Sequence, residues 1–300
     1  MRAARPLLVL GTALLLAGCG GSEEADPDLV FVSTRDGDYA VYAMSTGGGE
    51  EQRLTDVEVD PSTPQGLFFQ TEPAWSPDGG TIAFASKRGG TFDLYAMNAD
   101  GSGTRRLTST KEDDGQPTWS SDGERIAFTR GASGRIFVMG ADGSGARRVT
   151  GEEVEENEPA WSPDGRWVAY SRKVPGSSVR ELWLVRPDGS QPRQLTKLGG
   201  VAQGPAWSPD GRRIVFSANV GEDRFDIYTV GADGEDVLLV TSGDDSFEPS
   251  WSPDGTTIAF SAGGAISAID VETGEEQVLT DQDNNDSSPV WAPRTEGEDG

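Results

Sequence analysis

The stretch Trp75-Ser76-Pro77-Asp78-Gly79, followed by Ile82-Ala83-Phe84, recurs along the chain. Its leading tryptophan returns as Trp119, Trp161, Trp207, Trp251 and Trp291, at spacings of 44, 42, 46, 44 and 40 residues. Five of the six open the full pentad or a near copy such as Trp119-Ser120-Ser121-Asp122-Gly123, and the last decays to Trp291-Ala292-Pro293. A fixed period of about forty residues marks a repeat architecture, in which each unit buries its apolar faces against its neighbours. Within the pentad, proline presets φ for the first turn position and glycine accepts the left-handed conformation from which the next strand can start.

Each pentad leads into an apolar strand: Ile82-Ala83-Phe84, Ile126-Ala127-Phe128, Val168-Ala169-Tyr170, Ile214-Val215-Phe216 and Ile258-Ala259-Phe260. A strand apolar on both faces must be covered on both, as happens when small sheets stack radially. The small middle residue and large third residue suit the taper between such sheets. A second strand follows (Asp93-Leu94-Tyr95-Ala96-Met97), then an Asp-Gly turn (Asp100-Gly101), then an outer strand ending in Leu107-Thr108 or its equivalents. Four strands per unit in six units predict an all-β, six-bladed β-propeller of four-stranded antiparallel blades. The chain enters partway through a unit at Leu29-Val30-Phe31-Val32, and its last unit stops at Pro289-Val290-Trp291. The C-terminal strand is therefore expected to join the first blade and close the disc, hiding sheet edges. The tryptophans read as wedges between blades, each burying about 150 to 250 Å². Tyr39, Tyr42, Tyr95, Tyr170 and Tyr228 all fall in predicted strands, where core packing accounts for them.

The unit Pro-x-Trp-Ser-Pro-Asp-Gly-x-x-Ile-Ala-Phe, with its Tyr strand, Asp-Gly turn and Arg-Leu-Thr, resembles the TolB-type (WD-like) β-propeller repeat from Leu29 to Pro293. The family includes periplasmic proteins that bind a peptidoglycan-associated lipoprotein, oligopeptidases, and some lyases of pectin fragments. The resemblance implies the fold and an envelope compartment. An amino-terminal α/β domain like that of the periplasmic members is not expected here, and this sequence has none of the histidines used by the peptidases and lyases. Function follows only by analogy.

Outside the repeat, Arg2 and Arg5 precede the apolar run Pro6 to Leu16, which has the layout of an export signal. It ends in Leu16-Ala17-Gly18-Cys19, which looks like the bacterial lipobox, with the single cysteine of the chain as the lipidated residue. The expected organisation is a lipoprotein signal peptide over 1–18, a flexible tether over 19–28, the propeller over 29–293 and an acidic tail over 294–300. The protein is then exported and lipid-anchored on the extracytoplasmic side of a bacterial membrane, in the periplasm or at the cell surface.

Fifty acidic against 25 basic residues give a net charge of -25, a field that repels phosphate backbones and favours cationic partners. Nucleic acid is excluded, since its binding depends on Lys and Arg neutralising phosphates. There is no histidine, which removes Ser-His-Asp and Cys-His catalysis and His-ligated metals.

In such a disc the turns between strands one and two, and three and four, share one face; these are short and uniform. The opposite face varies between units and is acidic: Asp113 and Asp114; Glu152, Glu153, Glu155 and Glu156; Asp244 and Asp245; Asp281, Asp283 and Asp286. Loops that vary on a constant scaffold are where function collects. The residues preceding each inner-strand proline, Glu72, Gln116, Glu158, Gly204, Glu248 and Ser288, are expected at the channel mouth, with carboxylates on alternate units. They would attract a Lys, an Arg or a divalent cation, or else simply hydrogen-bond to neighbouring loops. Leu67-Phe68-Phe69 lies in the longest connection, with Phe68 and Phe69 as a candidate partner contact. Asp281-x-Asp283-x-Asn285 looks like the start of a calcium loop, but the EF-hand pattern wants Gly and Glu where Asp286 and Ala292 stand. A solvated turn is the alternative, and no cofactor is required.

The expected function is that of a monomeric binding or scaffold module, not an enzyme, recognising an envelope protein, peptide or polymer through the acidic face. The rival is a glycan hydrolase or lyase using carboxylates alone.

Overall fold

A computed structural model describes residues 28–47, 51–55, 70–151, 154–221, 223–243 and 245–294. Cys19, Phe68 and Phe69 lie outside them, as do Glu152, Glu153 and Asp244. Apart from one 3-10 turn at Gln282–Asn284, every element described is a strand. No helix among the described residues is long and apolar enough to cross a membrane.

The first unit contains β1 (Leu29–Ser33), β2 (Ala40–Met44) and β3 (Gln52–Arg53). The second contains β4 (Gln70–Trp75), β5 (Thr81–Ser86), β6 (Asp93–Asn98) and β7 (Arg105–Arg106). The third runs through β8 (Asp114–Trp119), β9 (Arg125–Arg130), β10 (Ile136–Gly140) and β11 (Arg147–Arg148). In the fourth are β12 (Glu156–Trp161), β13 (Val168–Lys173), β14 (Arg180–Val185) and β15 (Arg193–Gln194). The fifth has β16 (Val201–Trp207), β17 (Arg213–Asn219), β18 (Asp226–Gly231) and β19 (Leu238–Leu239). The sixth has β20 (Ser246–Trp251), β21 (Thr257–Ala262), β22 (Ala265–Asp270) and β23 (Glu276–Val278), and β24 (Ser287–Trp291) ends the series.

The expectation of a closed, six-bladed disc of separate four-stranded sheets is corrected by the hydrogen bonding. Among the described residues there are five sheets, four of four strands and one of eight, and none closes into a circle. The eight-stranded sheet arises where β14 and β16 meet through one parallel bridge, Arg180 opposite Val201. Its cause is local: Gly199, at φ +75°, and Gly200 carry the chain so close to β17 that a Cβ at 200 would sit 2.0 Å from the Asn219 carbonyl oxygen. The Arg180 N–H then reaches the Gly200 carbonyl at 3.0 Å. In the first sheet the order is β24-β1-β2-β3, with Leu29 opposite Trp291 and Val30 opposite Val290.

Between units the contact is apolar. Ile82 and Phe84 of β5 pack with Val30, Val41 and Leu54 of the first unit, while Ala83 between them faces Ile126 and Phe128 of the third. The same division holds at β21, where Ile258 and Phe260 meet Val215 and Ile227 while Ala259 meets Leu29 and Phe31. The small middle residue thus admits the bulky pair of the next unit, giving the close packing that protein interiors require.

Two polar devices repeat. In the pentad, the Ser76 hydroxyl donates to Asp78 Oδ1 and accepts from the Thr81 N–H at 2.9 Å, pinning the turn that Gly79 makes at φ +69°. At the end of each outer strand a threonine hydroxyl accepts a third-strand N–H, as in Leu94 N to Thr108 Oγ1 at 2.9 Å and Ile227 N to Thr241 Oγ1 at 2.9 Å. Both satisfy buried backbone donors where the ladder stops.

Candidate functional site

The six inner strands converge on one axis, and each carries a bulge at the residue before its proline. On β4, Thr71 pairs with Ala85 and Ala74 with Ala83, so Glu72 and Pro73 together oppose Phe84. The same two-against-one count recurs opposite Phe128, Tyr170, Phe216 and Phe260. Proline suits this position because a bulge leaves a backbone donor unneeded. The preceding residue takes the left-handed conformation in every copy: φ is 58° at Glu72, 55° at Gln116, 58° at Glu158, 60° at Gly204, 53° at Glu248 and 53° at Ser288. Five of these are not glycine, so the backbone is strained at one level of the axis, as functional sites often are.

Four of these six residues are tied to the preceding unit by a hand-off of hydrogen bonds. The Gln116 N–H donates to Glu72 Oε2 at 2.6 Å, and the Glu158 N–H to Gln116 Oε1 at 3.0 Å. The Gly204 N–H donates to Glu158 Oε2 at 2.9 Å, and the Ser288 N–H to Glu248 Oε2 at 2.8 Å. The hand-off breaks at two places: Gly204 has no side chain to offer Glu248, and Ser288 makes no such bond to Glu72. Glu72, Gln116, Glu158 and Glu248 therefore each hydrogen-bond to the neighbouring unit.

All six residues line an axial cavity of about 380 Å³ that extends toward the pentad turns. On the loop side lies a second cavity of about 630 Å³, lined by Tyr39, Gln203, Asp245, Phe247 and Asp286 among others. Glu158 and Glu248 border both cavities. Glu158 and Glu248 thus stand where the two cavities adjoin as one axial passage.

Enclosure sets their electrostatics. Loss of solvation pushes the Glu72 carboxyl up to about 7, helped by the charges of Glu158 and Glu248 and opposed by the Gln116 N–H. Glu158 is raised too, mainly by desolvation, while Arg180 and the Gly204 N–H pull it back. Although part of the Glu72 surface touches the passage, protein surrounds its carboxylate, so confined water hydrates the charge poorly. A raised carboxyl favours the folded state below the unfolded value near 4.5 and loses that contribution as pH rises through about 7. Glu72→Gln is therefore expected to leave stability unchanged at pH 4 and to raise it at pH 8 by about 3 kcal/mol relative to the parent. Urea midpoints at the two pH values check this; a gain equal at both would deny the raised carboxyl.

Much of the nominally acidic face is neutralised internally. Asp114 is buried against Arg130 at 2.6 and 2.9 Å, and Asp286 against Arg35 at 3.1 Å. Glu155 pairs with Lys173 at 3.0 Å and with Arg180, and Glu156 lies 3.9 Å from Arg172. Asp113 and Asp245 accept the backbone N–H groups of Phe92 at 2.9 Å and Phe225 at 2.8 Å. Tyr39, read from the sequence as a core strand residue, stands just before β2 and lines the loop-side cavity. With Phe247 it supplies an apolar wall that no sequence signal marked.

Asp281, Asp283 and Asn285 form a turn. The Asp283 N–H donates to Asp281 Oδ1 at 3.1 Å, and Asn285 follows the 3-10 turn at φ 49°. Among the described residues no three acidic, cysteine or histidine side chains converge as a metal site would need.

Comparison with known proteins gives this geometry a relationship. The family model described as the TolB beta propeller domain matches residues 64–179 and 155–296. The chain is 37% identical over 103 residues to the "Uncharacterized peptidase YuxL" of Bacillus subtilis, a stretch that is 31% of this chain and 16% of that protein. It is 53% identical over 45 residues to the Tol-Pal system protein TolB of Anaeromyxobacter dehalogenans, 15% of this chain and 10% of that one. The chain therefore spans only a small part of the curated relatives it matches. Among solved structures, TolB from Acinetobacter baumannii superposes with a TM-score of 0.77 at 19% identity, over 90% of this chain and 68% of that one. A putative TolB from Agrobacterium tumefaciens gives 0.67 at 19% identity, over 89% and 99%. These likenesses speak to the fold. With the family model matched across most of its length, the chain belongs to the TolB beta propeller domain family.

Proposed function

We propose that this protein is a binding module, held on the extracytoplasmic side of a bacterial membrane by a lipid on Cys19, that receives a basic or peptidic group of an envelope protein at the loop-side mouth of its axial passage. The observation that carries the reading is the meeting of the two cavities at Glu158 and Glu248. Glu158 and Glu248 each accept one backbone N–H, as several other acids of that face do, but among the described residues no arginine or lysine hydrogen-bonds to either, and both border open space. A net charge of -25 adds long-range attraction for a cationic group, and Tyr39 and Phe247 add apolar surface beside it. The lipid anchor rests on the Leu16-Ala17-Gly18-Cys19 sequence and a family with periplasmic members. With the membrane contact made by lipid, the passage is left for a partner.

A carboxylate-dependent glycan hydrolase or lyase has one observation in its favour, the rise of Glu72 to about 7, which suits a general acid. It needs a second carboxylate free to act. Glu72, Glu158 and Glu248 each have an oxygen committed to a backbone N–H of the next unit. The binding reading asks nothing of them beyond charge.

Photocrosslinking in intact envelopes tests the proposal. A photoreactive residue at Gln203, which lines the loop-side cavity, is expected to give one discrete protein adduct, absent when the same group stands at Arg105 on the exposed outer strand. Solvent adducts alone at Gln203 would count against a partner there.

A further inference from the structure

Between the fourth and fifth units, on the pentad side, lies a cavity of about 440 Å³ that shares no lining residue with the loop-side cavity and adjoins the axial one at Ser162, Pro163 and Trp207. Its walls include Trp167, Trp207, Asp164, Asp210 and Arg193. Trp167 is the departure that makes it: the same position in the other pentad units is Thr81, Arg125, Arg213 and Thr257. In the third unit Arg125 lies over the ring of Trp161 at 4.8 Å, covering the next inner tryptophan. In the fourth unit an indole takes that place, and the next inner tryptophan, Trp207, lines the cavity beside it.

The site is held from behind. Trp207 Nε1 donates to the Ala160 carbonyl at 3.1 Å, and the Trp167 backbone N–H donates to Ser162 Oγ at 2.9 Å. Arg186 and Arg193 lie 4.9 and 5.4 Å from the Trp167 ring centre. Arg193 spends one N–H on the Ala232 carbonyl at 2.7 Å. Asp164 Oδ1 accepts from Ser162 at 2.6 Å and from the Arg166 N–H at 3.0 Å, and Asp210 Oδ1 does the same with Ser208 and Arg212. Among the described residues Asp164 Oδ2 accepts no hydrogen bond, and the Trp167 indole N–H donates none.

The cavity therefore offers carboxylate acceptors, guanidinium and indole donors, and two aromatic walls. An anion would meet Asp164 and Asp210. A cation would compete with the two arginines already placed on Trp167. A neutral ring bearing hydroxyls satisfies both kinds of polar group and lays its C–H face on indole, and the volume suits one or two such rings. We propose that this cavity binds a neutral saccharide unit, with Trp167 as its platform.

Titration calorimetry with glucose, galactose, mannose and N-acetylglucosamine tests it on the mature protein. At least one sugar is expected to bind saturably with a Kd in the millimolar range, about -4 kcal/mol at 1 mM. Trp167→Thr, which installs the residue of two other units, is expected to weaken that binding at least tenfold in a protein that still unfolds cooperatively, and Trp167→Phe to restore part of it. The proposal is overturned if none of the four sugars binds saturably up to about 50 mM, or if Trp167→Thr binds as the parent does.

Discussion

A chain that stops at Asp286 is expected to lose its cooperative unfolding transition, or to melt at least about 15 °C lower than the parent. Without β24 the edge of β1 is bare, and Leu29, Val30, Phe31 and Val32, each 0 or 1% exposed, face water along that edge. At about 1.5 to 3 kcal/mol for each fully buried apolar side chain, even partial exposure of four removes much of the roughly 5 to 15 kcal/mol that folded domains possess. The loss spreads because β24 also packs against β20, β21 and β4. Thermal unfolding followed by tryptophan fluorescence reads the effect. A midpoint within about 5 °C of the parent would show that the strand is dispensable.

Gly143→Ala is expected to destabilise by about 2 to 4 kcal/mol, a large effect for one methyl group. Gly143 sits at φ +89°, and a Cβ there would lie 2.5 Å from the Leu107 carbonyl oxygen of the preceding unit. Gly101 stands in the same relation to Leu54, Gly189 to Val149 and Gly234 to Leu195, at 2.4, 2.7 and 2.7 Å. These Asp-Gly turns are therefore seats on which one unit rests its backbone against the last. Gly145, two residues on at φ +66°, has nothing within 4 Å of its hypothetical Cβ. Gly145→Ala should cost only about 1 kcal/mol of backbone strain. Urea midpoints separate the two, and equal losses would mean that the contact with Leu107 contributes nothing.

The repeat was legible because its physics is local. Tryptophan spacing, the pentad turn and the small middle residue of Ile82-Ala83-Phe84 each announce themselves within a dozen residues, and each sits where that reading puts it. The level of the axis was legible too, since one residue before each proline names Glu72, Gln116, Glu158, Gly204, Glu248 and Ser288. Their left-handed backbone was not, because a residue before proline ordinarily prefers extended conformations. At Gln116, Glu158 and Ser288 the neighbouring unit's side chain, a contact about 40 residues away in sequence, holds the backbone N–H of the strained residue.

The sheet count was misread for a related reason. Period and pattern describe each unit alone, whereas the bridge between Arg180 and Val201 depends on how closely Gly199-Gly200 lets two units approach. Acidity misled in the same way: Asp114, Glu155 and Asp286 count as surface charge in a sequence, yet Arg130, Lys173 and Arg35 answer them from strands or loops whose pairing is fixed only by folding. Trp167 shows the converse. Its departure from Thr81, Arg125, Arg213 and Thr257 was visible by aligning the units, but its meaning required the cavity beside it.

The most direct test of the binding account joins the crosslink at Gln203 to removal of charge where the two cavities adjoin. With Glu158→Gln and Glu248→Gln together, each side chain can still accept the next unit's N–H through its amide oxygen, so the fold is expected to hold while the attraction for a basic group is lost. The account expects the discrete adduct formed from Gln203 in the parent to fall at least about tenfold in the double variant, equivalent to about 1.4 kcal/mol. An adduct of undiminished yield in a double variant that melts like the parent would contradict it.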